Sequence, residues 1–406
     1  MSTPSAAATR RRPATSGTTR LPLVVYVLAA GTFLMGTSEF IVAGLLAEMA
    51  RAFDVDVARA GLAVTTFAVG MILGAPTMAL LTLRVPRRRT LILALATFAA
   101  GHLVVALSSS FPLMLGARFV TALATGAFWS VASVLAARSV GPAASSRALG
   151  VVLSGGMLAN VLGVPAGSFA GHVAGWRAPF ATLAVLALLA ATVIARTVPH
   201  DHREHGAPSV RAEFVALRSR RLWLVLATCA LVTGGVLSVY TLIAPLLTER
   251  AGLSGRTVPL ALVIFGVGAL LGSLLGGRAG DAHPYATGLA AAAVTFLASG
   301  GLVLFSDLPV LALLLFALLG LTGLSANPMY VALAVRFGGH APTLATAMAT
   351  SLFNLGTAIG TAISAATLNT SLGATGPALV GAVCAALIVV PLGALTLSAR
   401  NHPQRS

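Results

Sequence analysis

The sequence predicts an all-α integral membrane protein with twelve transmembrane helices arranged as two six-helix bundles. Three observations carry that expectation: long apolar runs, one long polar interruption near the middle, and a stretch of the first half that recurs in the second. Of the 406 residues, 57% are hydrophobic and only 9% are charged, whereas a soluble domain is roughly 25% charged.

A spanning helix needs about 20 mostly apolar residues to cross the hydrocarbon core. Twelve runs qualify. Six lie near residues 22–48, 58–82, 90–108, 112–137, 148–170 and 178–197, and six near 222–247, 257–276, 286–306, 308–335, 343–369 and 374–398. Lipid offers no partner to backbone N–H and C=O groups, so runs of this length must be helices, since barrel strands are shorter and alternating. The first run is longer than the apolar core of a signal peptide, so it is read as a retained helix.

The polar interruption is "RTVPHDHREHGAPSVRAEFVALRSRR", 196–221. It divides the chain into a disordered, basic tail (1–21), an N-terminal bundle (22–197), a linker (198–221), a C-terminal bundle (222–398) and a short tail (399–406). His200, His202 and His205 in the linker could suggest a metal tract but are read as part of a solvated loop. Cys229 and Cys384 sit inside apolar runs and have no metal or redox spacing.

The net charge of +16 comes entirely from arginine, for there is no lysine. With the N-terminus inside, alternating loops place 20 arginines on the cytoplasmic side and 5 outside, leaving Arg118 within a helix. That bias puts both termini in the cytoplasm of a multi-pass protein of the cell (inner) membrane. The positive charge is then topological, and no nucleic-acid partner is expected.

The repeat is direct. "FAVGMILGAPTMALLTLRVP", 67–86, aligns with "FGVGALLGSLLGGRAGDAHP", 265–284, at a constant offset of 198 residues. Two six-helix repeats joined by a long loop describe the architecture of secondary transporters, whose sites lie between the halves.

Of the ten acidic residues, all but Glu39 fall in loops or near helix ends. An intramembrane carboxylate is rare and costly, which points to proton or cation chemistry against the alternative of a hydrogen-bonded structural residue. Arg118, in "LMLGARFVTALATGAF", lies at a depth of ~10 Å, similar to that of Glu39. It is a candidate modulator of Glu39, with snorkelling to the surface as the alternative.

Several segments together carry a family resemblance: "GTSEF" at 36–40, "GLL" at 44–46, "AGL" at 60–62, "GMILGAP" at 70–76, "RVPRRRTL" at 84–91, "FAAGH" at 98–102, "GVPAG" at 163–167, "GWRAPF" at 175–180, "APLLTERAGL" at 244–253 and "GGRAGD" at 276–281. In this order they resemble the major facilitator superfamily, in its twelve-helix drug:proton antiporter group, and most of all the chloramphenicol efflux transporters. The resemblance spans about residues 22–398.

The resemblance implies a major-facilitator-type fold working by alternating access. Its cargo would be a small amphipathic drug, first a phenicol, or alternatively another drug or a sugar- or nucleoside-like metabolite. Arg118 matches the family's helix-4 arginine. Gly163, Pro165 and Gly167 match the helix-5 antiporter motif, which favours export. Arg84 and Arg87–Arg89 are read as holding the cytoplasmic loop at anionic lipid, with latching of the closed state as a second role.

Two departures stand out. Ala79 and Leu83 occupy the places of a usual glycine and aspartate, while Asp281, opposite Leu83 in the repeat, keeps the acid. A latch through that aspartate would therefore act on one side only. Thr125 stands where the chloramphenicol exporters tend to have asparagine.

Polar and aromatic residues inside helices are the candidates for the cargo wall. They are Asn160 and Asn354, in corresponding helices of the two halves, with Tyr26, Met35, Phe128, Trp129, Tyr240, Asn327 and Phe353. Packing between helices is the alternative for each. His102 is read as a hydrogen-bonded structural histidine or a proton relay. There is no nucleophile–base set, phosphate loop or metal frame, so an enzyme is not expected. No cofactor or metal is expected either, only the proton as coupling ion, with the protein working as a monomer in the lipid bilayer. A different class remains open, a membrane sensor or scaffold on the same fold, because fold alone does not give function.

Overall fold

The computed structural model describes residues 21–55, 57–82, 84–199, 215, 217–254, 257–339 and 341–401. The predicted N-terminal tail, most of the central linker with its three histidines, Leu83 and the last residues of the C-terminal tail lie outside them.

Among the described residues, twelve helices are long and apolar enough to cross a membrane. In the first half they are α1 (Leu23–Ile41), α2 (Leu62–Leu81), α3 (Arg87–Leu107), α4 (Phe111–Val140), α5 (beginning Ser145–Leu158) and α6 (Arg177–Thr197). In the second half they are α7 (Arg220–Thr241), α8 (Val258–Ala282), α9 (Pro284–Phe305), α10 (beginning Pro309–Gly323), α11 (Pro342–Leu368) and α12 (Gly373–Leu397). Proline at the first turn starts α8 to α11, where its missing N–H would have had no intrahelical partner.

Three helices are less regular than their apolar runs suggest. The regular part of α1 stops at Ile41. A tight turn, Val42–Leu45, leads to a short helix, Leu46–Phe53, which carries Glu48 and Arg51 and ends at Asp54 in the left-handed region, φ 52°. In α5, Ala159–Gly163 forms a wide π turn before the helix resumes at Val164–Ala174. Pro165 supplies no N–H, which frees a carbonyl one turn earlier and permits the widening. The run expected as one helix over 308–335 breaks after Gly323 and restarts at Asn327–Phe337. There the ring of Pro328 forbids a regular bond to the carbonyl of Leu324.

The halves are built on the same contacts. Thr32 Oγ1 on α1 donates to the Val152 carbonyl on α5 at 2.6 Å. Its counterpart 201 residues on, Thr233 of α7, donates to the Phe353 carbonyl of α11, also at 2.6 Å. Helix crossings this close require glycine: a Cβ on Gly155 would sit 2.1 Å from the Ala29 oxygen, and one on Gly356 would sit 2.1 Å from the Ala230 oxygen. The offset for α2 with α4 against α8 with α10 is 198, as Gly74 on Leu123 and Gly272 on Leu321 show.

The two bundles meet along α2 with α11 and α5 with α8. Ser351 Oγ donates across the interface to the Ile72 carbonyl at 2.6 Å, and Ala75, Ala79, Leu344 and Ala347 pack beside it. These contacts lie toward the face that carries Arg84, Arg87–Arg89, Arg138 and Arg147.

Candidate functional site

Between the halves lies a cavity of about 190 Å³, far more than the ~10–15 Å³ one water needs. Its wall combines Gly36, Glu39 and Phe40 of α1, Trp129 and Ser133 of α4, and Gly156 and Met157 of α5 with Thr233 and Leu237 of α7 and Thr350, Phe353, Asn354 and Thr357 of α11. Leu324 and Asn327 enter from the break in α10. That break puts the amide of Asn327 at the start of a helix, a place a continuous α10 would not have provided.

Of the residues selected from sequence, Glu39, Trp129, Asn327, Phe353 and Asn354 line this cavity. Others do not. Tyr26 is 51% exposed in the first turns of α1, thirteen residues or about 20 Å from Glu39. Met35 is fully buried, its sulfur accepting from Thr125 Oγ1 at 3.3 Å. Thr125 therefore spends its hydroxyl inside the bundle. Phe128 is buried against Gly31, and Tyr240 packs its ring on Phe265, centroids 4.8 Å apart. The side chain of Asn160 lies outside the described residues.

Behind Glu39 is a buried polar chain. Successive positions on a helix point about 100° apart, so Glu39 faces the cavity while Ser38 faces into the N-terminal bundle. Arg118 Nη1 donates to the Ser38 carbonyl at 3.1 Å and to Ser38 Oγ at 3.0 Å. Ser38 Oγ lies 2.8 Å from His102 Nε2, and His102 Nδ1 lies 2.7 Å from the Phe98 carbonyl. Ser38, His102 and Arg118 have no exposed surface at all, which excludes snorkelling for Arg118. The guanidinium carbon stands 4.4 Å from the centre of the Phe67 ring, a cation–π contact. Its remaining nitrogens, Nε and Nη2, are buried without a partner. Among the described residues no ion pair joins Arg118 to Glu39; the arginine instead holds the residue beside it.

Two further orphan atoms belong to cavity-wall residues, Trp129 Nε1 and Asn327 Oδ1. They stand 198 residues apart, at matching positions of α4 and α10. A buried polar atom without a partner costs about 1–3 kcal/mol, so both are poised to gain from a bond.

The second half lacks the polar chain. Applying the repeat offsets, Glu39 corresponds to Tyr240, Phe67 to Phe265 and Arg118 to Phe316. Where Arg118 covers Phe67, Phe316 stacks on Phe265 with centroids 5.1 Å apart. One copy is ionic and the other aromatic.

The residues assigned to gating sit at helix contacts. Asp281, in the last turn of α8, accepts from the backbone N–H groups of Ser146 (2.7 Å) and Arg147 (2.9 Å), the first turn of α5 in the other half. A carboxylate at a helix N-terminus is favoured by the unpaired N–H groups and the helix dipole. On α5, a Cβ on Gly163 would lie 2.1 Å from Thr37 Oγ1 and one on Gly167 2.1 Å from Ile41 Cδ1, so the motif lets α5 lie against α1 on both sides of Glu39. Pro165 stands between them, and Arg84 is exposed in the loop after α2.

Sequence reasoning passed over Ser38, Phe67, Thr233, Thr350 and Met157. Ser38 carried a signal in "GTSEF", but its role depends on how α1 is rotated against α3 and α4.

Two homologous helical bundles closing around a central cavity define a multi-pass membrane transporter. The chain belongs to the Major Facilitator Superfamily, whose model matches residues 28–261 and again 226–406. It is 37% identical to a chloramphenicol resistance protein of Streptomyces lividans over 88% of this chain and 92% of that one. It is 31% identical to the inner membrane transport protein YdhP of Escherichia coli strain K12, over 93% and 96% of the two chains. The fold is shared with the crystal structure of the transporter FucP in the outward conformation, with a TM-score of 0.76 at 16% identity, covering 91% of this chain and 97% of that one.

Proposed function

We propose that this transporter exports a small amphipathic compound, a phenicol such as chloramphenicol first, in exchange for protons. The observation that carries the coupling is the placement of Glu39. It is a carboxyl group in the cavity wall, next in sequence to the residue that holds a buried arginine with two unpartnered nitrogens. A protonated Glu39 can face the cavity as a neutral group. An ionised one has a ready partner in the free edge of Arg118, which can take both carboxylate oxygens. Cargo and proton then compete for the same wall as the halves rock. Each 100 mV of membrane potential adds about 2.3 kcal/mol per charge to the driving force.

Phenicols come first because a relative of similar length is called a chloramphenicol resistance protein, and because a mostly apolar wall with amide and hydroxyl groups suits a neutral amphipathic ring compound. The arginine bias favours a cytoplasmic location for the Arg-bearing face, the one toward which α2 packs on α11. The protein works as a monomer, with the cavity lined by residues of α1, α2, α4, α5, α7, α10 and α11 of one chain.

The test is expression in a drug-sensitive host, scored on phenicols and dyes, beside Glu39→Gln. Resistance to phenicols that disappears in the variant supports the reading. Undiminished resistance with Glu39→Gln removes the proposed proton carrier, and no resistance to any compound turns attention to the metabolite or sensor alternatives.

A further inference from the structure

We infer that Ser38 and His102 are positioning residues for proton coupling, holding the Arg118 guanidinium so that its Nε–Nη2 edge is presented to Glu39. The inference rests on the coupling role proposed for Glu39. The hydrogen-bond geometry leaves a single consistent pattern. A carbonyl oxygen only accepts, so His102 Nδ1, 2.7 Å from the Phe98 oxygen, carries the hydrogen. In the neutral ring Nε2 is then an acceptor, and the Ser38 hydroxyl 2.8 Å away must donate to it. With its hydrogen committed, Ser38 Oγ faces Arg118 only as an acceptor, and Nη1 donates to it.

The second hydrogen of Nη1 goes to the Ser38 carbonyl. Both donors of that nitrogen are thereby tied to one residue, and the ring of Phe67 covers a face of the guanidinium. What remains is one edge with three N–H donors, buried and unpartnered. That edge matches a carboxylate bidentately.

His102 is the far anchor of this arrangement, packed at a tilt against Phe98 with centroids 4.0 Å apart and next to Phe180 at 6.0 Å. A second proton on His102 would turn Nε2 into a donor aimed at Ser38 Oγ and would compete with Arg118 for that oxygen. The titratable and charged groups facing the cluster are Glu39 from α1 and Arg118 from α4; α2, α3 and α6 contribute the rings of Phe67, Phe98 and Phe180.

The test uses the full chain in proteoliposomes with radiolabelled chloramphenicol. Two modes are measured, uptake driven by an imposed pH gradient and counterflow without one. In Ser38→Ala and in His102→Phe, which keeps a ring against Phe98, we expect driven transport to shift its half-maximal pH upward by about one unit, the size of one lost hydrogen bond to a charged group. Counterflow stays within about twofold, which also reports that the protein is folded, and the double variant shifts no further than either single one, because the two act as a unit. An unshifted or acid-shifted profile, additive shifts, or an equal fall in both modes overturns the inference while leaving the Glu39 reading standing. Driven transport that survives Glu39→Gln removes both.

Discussion

Arg118 and Phe316 occupy the same place in the two halves of the molecule, 198 residues apart, each lying against the aromatic ring that its own half provides, Phe67 or Phe265. The two halves share the packing and differ in the groups placed on it. The guanidinium of Arg118 serves the half that contains Glu39, while the counterpart of Glu39 is Tyr240 in an aromatic cluster.

Coupling should therefore depend on the first half alone. Arg118→Lys keeps a positive charge and can still donate to Ser38 from its one nitrogen, but it has no second, planar edge to offer a carboxylate at the same time. We expect gradient-driven export to fall by about 10- to 100-fold, while Tyr240→Phe stays near wild type. The measurement is uptake into inverted vesicles at fixed pH gradient, and equal loss in both variants would contradict the division.

How much of this was legible in the residues depends on the feature. The twelve helices were, because a bilayer demands long apolar runs and the chain has few charges to confuse them. Glu39 and Arg118 were, because a charge inside such a run has few explanations. Helix rotation was not. A membrane helix is apolar toward lipid and apolar toward its neighbours, so no amphipathic stripe distinguishes the two faces. Residue type alone selected Tyr26, Met35 and Tyr240, which the helices turn away from the cavity, and passed over Ser38, whose partners lie 64 and 80 residues away. The irregular turns near Pro165 and Pro328 had a visible cause, but a proline within an apolar run does not say whether the helix bends, widens or restarts.

The crossing of α1 with α5, and that of α7 with α11, predicts a matched pair of stability defects. A methyl group on Gly155 or Gly356 would meet a backbone oxygen, which can retreat only if a whole helix moves. Gly155→Ala and Gly356→Ala should each destabilise the protein by about 1–3 kcal/mol, seen as earlier thermal aggregation in detergent. Gly116→Ala, where nothing lies within 4 Å, should not.

Asp281 predicts a conformational effect. Its two bonds to the first turn of α5 bind the halves at the Arg-bearing face. Asp281→Ala removes both and leaves two helix-terminal N–H groups unpaired, at a cost of about 1–2 kcal/mol to this conformation. With Cys229 and Cys384 replaced by alanine and a cysteine placed at Ser133 in the cavity wall, labelling from the Arg-bearing face should rise about 5- to 30-fold in the population that opens there. Unchanged labelling would mean that the packing of α2 on α11 and of α5 on α8 keeps that face shut without these two bonds.

The last prediction concerns cargo. Trp129 Nε1 and Asn327 Oδ1 belong to cavity-wall residues at matching positions of the two halves, and neither has a partner. Trp129→Phe removes the donor while keeping an aromatic surface against Gly156. Asn327→Leu removes the acceptor at similar volume. In the empty protein, deleting an unsatisfied buried atom is neutral or stabilising by about 1 kcal/mol. If a cargo with hydroxyl or amide groups completes these bonds, each variant should raise the apparent KM for chloramphenicol by about 5- to 10-fold, the worth of one neutral hydrogen bond. A dye without such groups should be exported with unchanged KM. Melting temperature in detergent, measured with and without chloramphenicol, separates the two effects: the variants should match or exceed the wild type alone and gain less from the drug. A variant that melts earlier and loses both cargoes alike would assign Trp129 and Asn327 to packing between the bundles instead.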